Sequence, residues 1–358
     1  MRFVFKTDYD QDIRLFAHGG AVFWYAVLGL GLLAAPLVLD EFYIGELAYV
    51  FILTIVAVGL MLLTGFTGLI SLGHAAFLGI GAYTEAYLQA RGVPFLVSFT
   101  ASGLLAGAVG IALGIPALRM TGLYLAIATL AFAIVVEEVF ARWESVTGGY
   151  IGMSVDDISL FGLNIDEDWK FYYLVLAILV LVMLAALNIL RSPTGRAFVA
   201  IRDSEIAAQS MGVNLAWYKT VAFALSSGVT GLAGALYAHK INYLSPDGFD
   251  ILMSIQFLLM VVVGGLGSLH GAVFGAIFVG ALPQAIAVAK DYFPPIIGEQ
   301  PGLESGVFGL ILVLFILFEP LGIYGRWLKI KLYFQLFPLY KKATFKRQKT
   351  YMRTERLR

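Results

Sequence analysis

The segment 192–214 has the residues of a docking helix and reads SPTGRAFVAIRDSEIAAQSMGVN. Asp203 or Ser204 can cap a short helix there, and Glu205 falls in its first turn, where a carboxylate stabilises the helix dipole. Gly212 stands where a left-handed residue would end that helix. The helix would expose a surface of small residues: Ala207, Ala208 and Ser210. Such a surface on an exposed helix predicts that a partner protein covers it.

Several polar side chains fall inside apolar runs of the sequence. Lipid offers them no hydrogen-bond partner, so each of these residues is a functional candidate. They are His74, Thr84, Glu85, Thr129 and Gln256. Glu85 is the residue with the highest free-energy cost of burial in the membrane. It indicates a substrate path or a contact between subunits, with a position at the membrane interface as the alternative. His74 and His270 each lie close to the end of a run, where a structural hydrogen bond is the predicted use.

Two glycine-dense stretches, 64–87 and 263–281, carry serine and histidine at membrane depth. Irregular helix is tolerated there only where it faces protein or a water-filled path. We therefore predict that these stretches border a translocation path or a subunit interface. The candidate residues are Ser71, His74, Gly79, Glu85, Gln256, Gly265, Ser268 and Gly271. Alignment from Ser71 and Ser268 hints at a parallel internal repeat, although small-residue helices also reach such similarity by chance.

Other small residues recur four positions apart, which predicts close helix packing in a membrane. The pairs are Gly103 with Gly107, Gly110 with Gly114, Ser227 with Gly231, and Gly271 with Gly275.

The composition excludes a soluble globular protein. Of the 358 residues, 60% are hydrophobic and only 13% are charged, whereas soluble domains carry about 25% charged residues. The sequence has no cysteine and only four scattered histidines, which argues against a disulfide framework or a metal site. It also lacks a phosphate-binding loop, a nucleophile elbow and an HExxH motif, so we predict a non-catalytic membrane subunit.

Ten apolar stretches are long enough to cross a membrane, since a helical crossing takes about 20 residues. They are 20–39, 44–63, 68–90, 95–116, 121–141, 169–190, 217–239, 249–264, 269–290 and 303–325. Backbone groups in lipid must be paired within the segment, and these runs do not alternate as barrel strands do. The prediction is an all-α integral membrane protein with about ten transmembrane helices.

Lysine and arginine are concentrated in the C-terminal tail, and this bias predicts the orientation. With the tail in the cytoplasm, ten crossings place the N-terminus there too. The predicted organisation is a cytoplasmic N-terminal segment (1–19), a transmembrane domain (20–325), a cytoplasmic segment (191–216), an acidic extracytoplasmic loop (142–168) and a basic cytoplasmic tail (326–358). Residues 326–340 place apolar side chains at helical spacing between lysines, which predicts a helix lying in the membrane interface.

Six runs of the sequence resemble a known family in their order and spacing. They are SLGHAAFLGIGAY (71–83), GLYLAIATLAFA (122–133), TGGYIGM (147–153), TGRAFVAIRDSEIAAQSMGVN (194–214), GLAGALYA (231–238) and VVVGGLGSLHGAVFGA (261–276). The chain resembles the branched-chain amino-acid ABC transporter permease family over roughly residues 50–320, and specifically the longer of the two permease subunits. The resemblance implies an ABC importer permease with a cytoplasmic coupling helix, in the cytoplasmic (inner) membrane of a prokaryote.

The resemblance also implies the partners: a second homologous permease subunit, two ATP-binding cassette ATPase subunits, an extracytoplasmic substrate-binding protein that delivers branched-chain or similar small apolar amino acids, and membrane lipid, but no nucleic acid. ATP and Mg would be bound by the ATPase subunits, and no cofactor by this chain. The residues implied to engage the ATPases are Arg196, Arg202, Glu205, Ala207, Ala208 and Gly212. The alternatives are a permease for urea or short-chain amides and, in a different class, a secondary transporter or channel.

Overall fold

The computed structural model describes residues 19–117, 120, 122–160, 163–290, 303–319 and 321–336. The long helices are α1 (Gly19–Val38), α2 (Glu41–Leu60), α3 (His74–Gln89), α4 (Phe95–Ala117), α5 (Leu123–Arg142), α7 (Asp168–Arg191), α10 (Leu215–Ile241), α11 (Ile251–Gly264), α12 (Leu269–Lys290), α13 (Leu303–Phe318) and α14 (Gly322–Leu336). The shorter elements are α6 (Glu144–Thr147), α8 (Pro193–Asp203), α9 (Glu205–Ser210) and the strands β1 (Met153–Ser154), β2 (Ile158–Leu160), β3 (Leu163–Ile165) and β4 (Tyr243–Leu244). The predicted all-α membrane fold is confirmed, with two small ribbons added to it.

Among the described residues, seven helical segments are long and apolar enough to cross a membrane. They are Glu41–Phe66, Phe95–Pro116, Leu123–Arg142, Asp168–Arg191, Leu215–Ile241, Pro246–Gly264 and Leu269–Ala289. Each of the ten predicted stretches contains a described helix. The count of ten crossings and the cytoplasmic termini stay predictions, and residues 1–18 and 337–358 lie outside the described part of the chain.

Helix α10 lies in the centre of the bundle, against α2, α3 and α4, and it approaches them through small residues. A Cβ atom added at Gly231 would lie 2.8 Å from the Ser102 carbonyl oxygen of α4. One added at Gly234 would collide with the Leu78 carbonyl oxygen of α3. These backbone contacts are the close packing that small-xxx-small spacing predicts, because a larger side chain would force the helices apart.

The structure differs from the predicted spans in two places. The stretch 68–90 is helical only from His74, because α2 ends in a π-helical turn, Met61–Phe66, and Gly68 then takes a φ of +76°. The stretch 303–325 is two helices instead of one, since α13 ends at Phe318 and Gly322 begins α14 with a φ of +70°. The predicted interfacial helix therefore begins four residues earlier than position 326, and its residues 337–340 lie outside the described part.

The loop between α5 and α7 is fastened to the end of α10. Strand β1 pairs antiparallel with β4, so that Met153 lies opposite Leu244, and β2 pairs with β3. At the end of this loop a hydrogen bond from Lys170 of α7 lowers the pKa of Asp166 below its ordinary value. The loop lies at the start of α7, whereas α8 and α9 follow the end of α7 and precede α10. We call these two ends of the bundle the loop face and the α8–α9 face.

A cysteine in place of Ser154 should react with a membrane-impermeant thiol reagent on intact cells. Ser154 is exposed on the loop face, and the chain contains no cysteine of its own. The matched control is Ser210→Cys, exposed on α9, which should react only after the cells are permeabilised. Mass spectrometry of the chain measures the extent of labelling at each of the two positions. Labelling at position 210 but not at 154 in intact cells would reverse the predicted orientation.

Candidate functional site

The segment predicted to dock a partner forms a platform of two helices, α8 and α9, rather than one. Ser192 caps α8 by accepting from the Thr194 N–H at 3.2 Å, and Ser204 caps α9 by accepting from the Ala207 N–H at 3.3 Å. Gly212 follows α9 with a φ of +85°, a conformation that favours glycine. The cap at Ser204 and the left-handed stop at Gly212 are thus confirmed.

The platform is anchored by buried side chains and one ion pair. Phe198 is completely buried and Ile201 is 2% exposed, which fixes α8 on the bundle. Glu205, on α9, accepts a hydrogen bond from the Lys219 ammonium of α10 at 2.7 Å. Lys219 is 1% exposed, and a buried ammonium is costly unless it is paired. Sequence reasoning placed Glu205 on the helix dipole and missed this partner, which lies 14 residues away.

The exposed surface of the platform is apolar. Ile206 is 80% exposed and Met211 is 86% exposed, and Ala207 and Ser210 are exposed between them. Ala208 was predicted to belong to this surface, but it is 3% exposed and packs inward, because the helical turn points it towards the bundle. Ile206 and Met211 were missed. Their signal in the sequence is the presence of two long apolar residues within a polar stretch.

Arg202 joins the platform to both glycine-dense stretches. Its guanidinium donates to the Gly65 carbonyl oxygen at 3.2 Å. A Cβ added at Gly68 would lie 3.1 Å from the Arg202 side chain, and one added at Gly267 would lie 2.9 Å from its Nη1 atom. Arg196, in contrast, is exposed and donates to the Arg191 carbonyl oxygen at 3.3 Å. Arg202 therefore connects α8 to the breaks before α3 and α12, and Phe198 adds packing against Leu63 and Leu69 at the first of them.

The break before α3 is held by buried hydrogen bonds. His74 is completely buried, and its Nδ1 lies 3.0 Å from the Ser71 hydroxyl and its Nε2 lies 2.7 Å from the Ser226 hydroxyl. The Leu72 N–H donates to the Thr129 hydroxyl at 2.9 Å. The predicted structural hydrogen bond of His74 is confirmed. Ser71, Gly73 and His74 are thus buried by protein, whereas Gly68 and Ile70 of the same break are exposed.

The break before α12 has a similar construction. The Ser268 hydroxyl accepts from the Gly271 N–H at 3.3 Å, and Gly265 takes a φ of +113°. His270 forms its predicted hydrogen bond, with the Tyr25 hydroxyl at 2.7 Å. Since Arg202 contacts both breaks, the two helices start from the same face, which is the parallel arrangement expected of the suspected repeat.

Gly79 and Gly271 have packing contacts within this chain. A Cβ at Gly79 would lie 2.5 Å from the Phe140 ring, and a Cβ at Gly271 would collide with the Gly265 carbonyl oxygen. A Cβ at Gly29, on α1, would meet nothing within 4 Å. A role at a path or at an interface between subunits stays a prediction for these positions.

Glu85 is completely buried on α3 and is connected to the loop face. It accepts from the Ser98 hydroxyl at 2.7 Å, and its Oε1 lies 3.3 Å from Nε2 of His239. The other ring nitrogen of His239 lies 3.0 Å from the Asp156 carbonyl oxygen. Glu85 is therefore buried inside the chain, where the pair with His239 links α3 to the loop. A role at a substrate path, at a subunit contact or at the membrane interface stays a prediction.

Gln256 lies half-buried on α11 and lines a groove of about 590 Å³. This groove does not include the other residues that were predicted to form a path. Among the described residues, no cluster of three or more histidine, aspartate or glutamate side chains could hold a metal ion.

Comparison with known proteins gives a consistent family. A model described as the permease component of the branched-chain amino acid transport system matches residues 42–316. The high-affinity branched-chain amino acid transport system permease protein LivM of Escherichia coli is 33% identical over 294 residues, which cover 75% of this chain and 67% of the relative. The similarly named BraD of Pseudomonas aeruginosa is 25% identical over 289 residues, which cover 76% of this chain and 91% of the relative.

A more distant similarity covers a shorter part of the chain. The autoinducer 2 import system permease protein LsrC of Salmonella typhimurium is 27% identical over 118 residues, or 31% of this chain and 34% of the relative. No solved structure matches the chain.

Proposed function

Because the chain belongs to the branched-chain amino acid transport system permease family, we propose that it is a membrane subunit of an ATP-driven ABC importer for branched-chain or similar small apolar amino acids. It crosses the cytoplasmic membrane of a prokaryote several times, with α8 and α9 in the cytoplasm. Its partners are a second homologous permease, two ATPase subunits and an extracytoplasmic binding protein. ATP and Mg are bound on the ATPase subunits, and this chain hydrolyses nothing.

The exposed apolar surface of the platform carries this proposal. Ile206 lies on α9 and Met211 directly follows it, and both side chains are mostly exposed. The Glu205–Lys219 ion pair fixes α9 to α10 on its buried side. Long apolar side chains on a rigid polar segment are suited to enter a hydrophobic pocket of a partner protein. An ATPase subunit that seats these two side chains could push or pull α9 as one piece.

The connection from the platform to the membrane helices supports a transport role. Arg202 reaches the breaks that precede α3 and α12, where backbone bends replace regular helix. Alternating access needs elements with two packings, and a partner that binds one packing better shifts the population towards it. The ATPase subunits would supply this bias, and the breaks are where α3 and α12 can respond.

The test is reconstitution of the complete complex. This chain, carrying an affinity tag, is co-expressed with the second permease and the ATPase subunits from the same genome, and we expect the ATPases to co-purify. Proteoliposomes are supplied with leucine-loaded binding protein on the outside. They should take up leucine only when ATP is enclosed inside, on the side of the ATPase subunits. Urea serves as the control solute and should not accumulate. ATP-dependent urea uptake would favour the amide permease, and uptake without ATPases would favour a secondary transporter.

A further inference from the structure

The groove that contains Gln256 lies in the half of the bundle nearest the loop face. Its walls are contributed by α2, α10, α11, α12 and α13, and its volume is about 590 Å³. Helix α11 starts directly after the turn Pro246–Phe249, which follows β4, the strand paired with the loop. Pockets that hold small molecules measure about 300–1,000 Å³. The groove thus has the size of a ligand site and lies towards the side from which, in the proposed orientation, a binding protein would deliver.

Polar side chains without partners converge on this groove. Tyr49, Tyr237 and Gln256 line it, and none of the three has a hydrogen-bond partner among the described residues. The two tyrosine rings lie 6.4 Å apart, centroid to centroid. The carboxylate of Asp250 also lines the groove and uses only Oδ1 internally, to accept from the Met253 N–H at 2.8 Å. An unpaired polar group inside a membrane bundle is expensive, so these groups indicate contact with water or a polar ligand.

The chemistry of the lining fits a zwitterion with an apolar side chain. The hydroxyls of Tyr49 and Tyr237 and the amide of Gln256 can donate to a carboxylate. The Asp250 carboxylate can accept from an ammonium group. The remaining wall is apolar, and Met253 contributes to it. A lipid acyl chain in the groove would leave all four polar groups unpaired, which makes lipid the poorer occupant.

We propose that this groove is a binding site for a zwitterionic apolar amino acid on its way through the bundle. Asp250 holds the ammonium group, while Tyr49, Tyr237 and Gln256 hold the carboxylate. The proposal rests on the proposed import function and adds to it a site within this chain. Selection would then occur twice, in the binding protein and again in the membrane.

Asp250→Asn tests the site in the complete reconstituted complex. Asparagine keeps the cap on α11 but removes the charge, so the fold is preserved. We expect leucine uptake to fall by about 10- to 100-fold, the range for a lost charge-assisted hydrogen bond. ATP hydrolysis stimulated by the loaded binding protein should persist. The matched control is Asp247→Asn, the same change at an exposed position that does not line the groove, and it should leave uptake unchanged.

A second measurement reports whether the groove holds water. Gln256→Cys in the cysteine-free chain should react with a water-soluble thiol reagent, and excess leucine with binding protein should slow the reaction. Val135→Cys, on the exposed apolar face of α5, should not react. Absence of reaction at position 256 would show that lipid or the second permease fills the groove and would overturn the proposal.

The two proposals fail in different ways. Normal leucine uptake by the Asp250→Asn complex would overturn the groove as a binding site and leave the import function intact. Absence of leucine uptake by the unaltered complex would overturn the import function itself.

Discussion

Replacing Glu205 with lysine is expected to abolish uptake while the chain still inserts into the membrane. The substitution places a second ammonium group against Lys219, which is 1% exposed and now lies 2.7 Å from its carboxylate partner. Breaking a buried ion pair costs about 3–5 kcal/mol because it leaves an uncompensated charge. Helix α9 should therefore detach from α10, and substrate-stimulated ATP hydrolysis should be lost with uptake. Both are measured on the reconstituted complex.

The matched control for this prediction reverses the pair. Glu205→Lys combined with Lys219→Glu restores opposite charges at the same two positions and should recover part of the uptake. Glu205→Gln keeps a hydrogen-bond acceptor and should have an intermediate effect. Normal substrate-stimulated ATP hydrolysis in an assembled Glu205→Lys complex would contradict a role of the platform in coupling.

Gly271→Leu and Gly79→Leu are expected to block transport far more severely than Gly29→Leu. At Gly271 even the first side-chain carbon would collide with the Gly265 carbonyl oxygen, and backbone cannot move aside as a side chain can. At Gly79 it would press on the Phe140 ring at 2.5 Å. Overfilling a packed site costs about 1–3 kcal/mol or more. Gly29 has open space around it within this chain.

The measurement separates folding from transport. The amount of assembled complex is read by size-exclusion chromatography, and uptake is compared per assembled complex. Gly271→Ala is the milder probe, and it should already reduce uptake because the collision begins at Cβ. Equal tolerance of leucine at positions 29, 79 and 271, with normal assembly, would show that neither the contact of Gly79 with α5 nor the contact of Gly271 with the break before α12 is needed for transport.

Local signals in the sequence predicted the second helix of the platform, α9, but not the first, α8. The cap at Ser204 and the stop at Gly212 both depend on groups within a few residues, because an N-cap hydroxyl bonds a backbone N–H two or three positions on. The length of an apolar run is also a local property of the sequence. It predicted the membrane helices because the thickness of the bilayer fixes the number of residues that a helical crossing needs.

The boundaries at the breaks show where local signals fail. An apolar run and glycine are both compatible with a continuous membrane helix, so the stretch 68–90 could not be divided at His74 from its composition. The division depends on the bonds from Ser71 to His74 and from His74 to Ser226, the latter 152 residues apart. The hydrogen bond between His74 and Ser226 can form only in a fold that packs α3 against α10, and it stabilises the irregular backbone of the break.

By itself the sequence determined the membrane class, most of the apolar helical stretches, the second helix of the platform and the family, because hydropathy, capping and motif order are properties of neighbouring residues. The tertiary structure alone decided which charges meet and which surfaces remain exposed. It paired Glu205 with Lys219 and Glu85 with His239, turned Ala208 inward, and left Ile206 exposed. The physical reason is that burial and pairing depend on which helix faces come together, and Glu85 and His239, 154 residues apart, are neighbours only after packing.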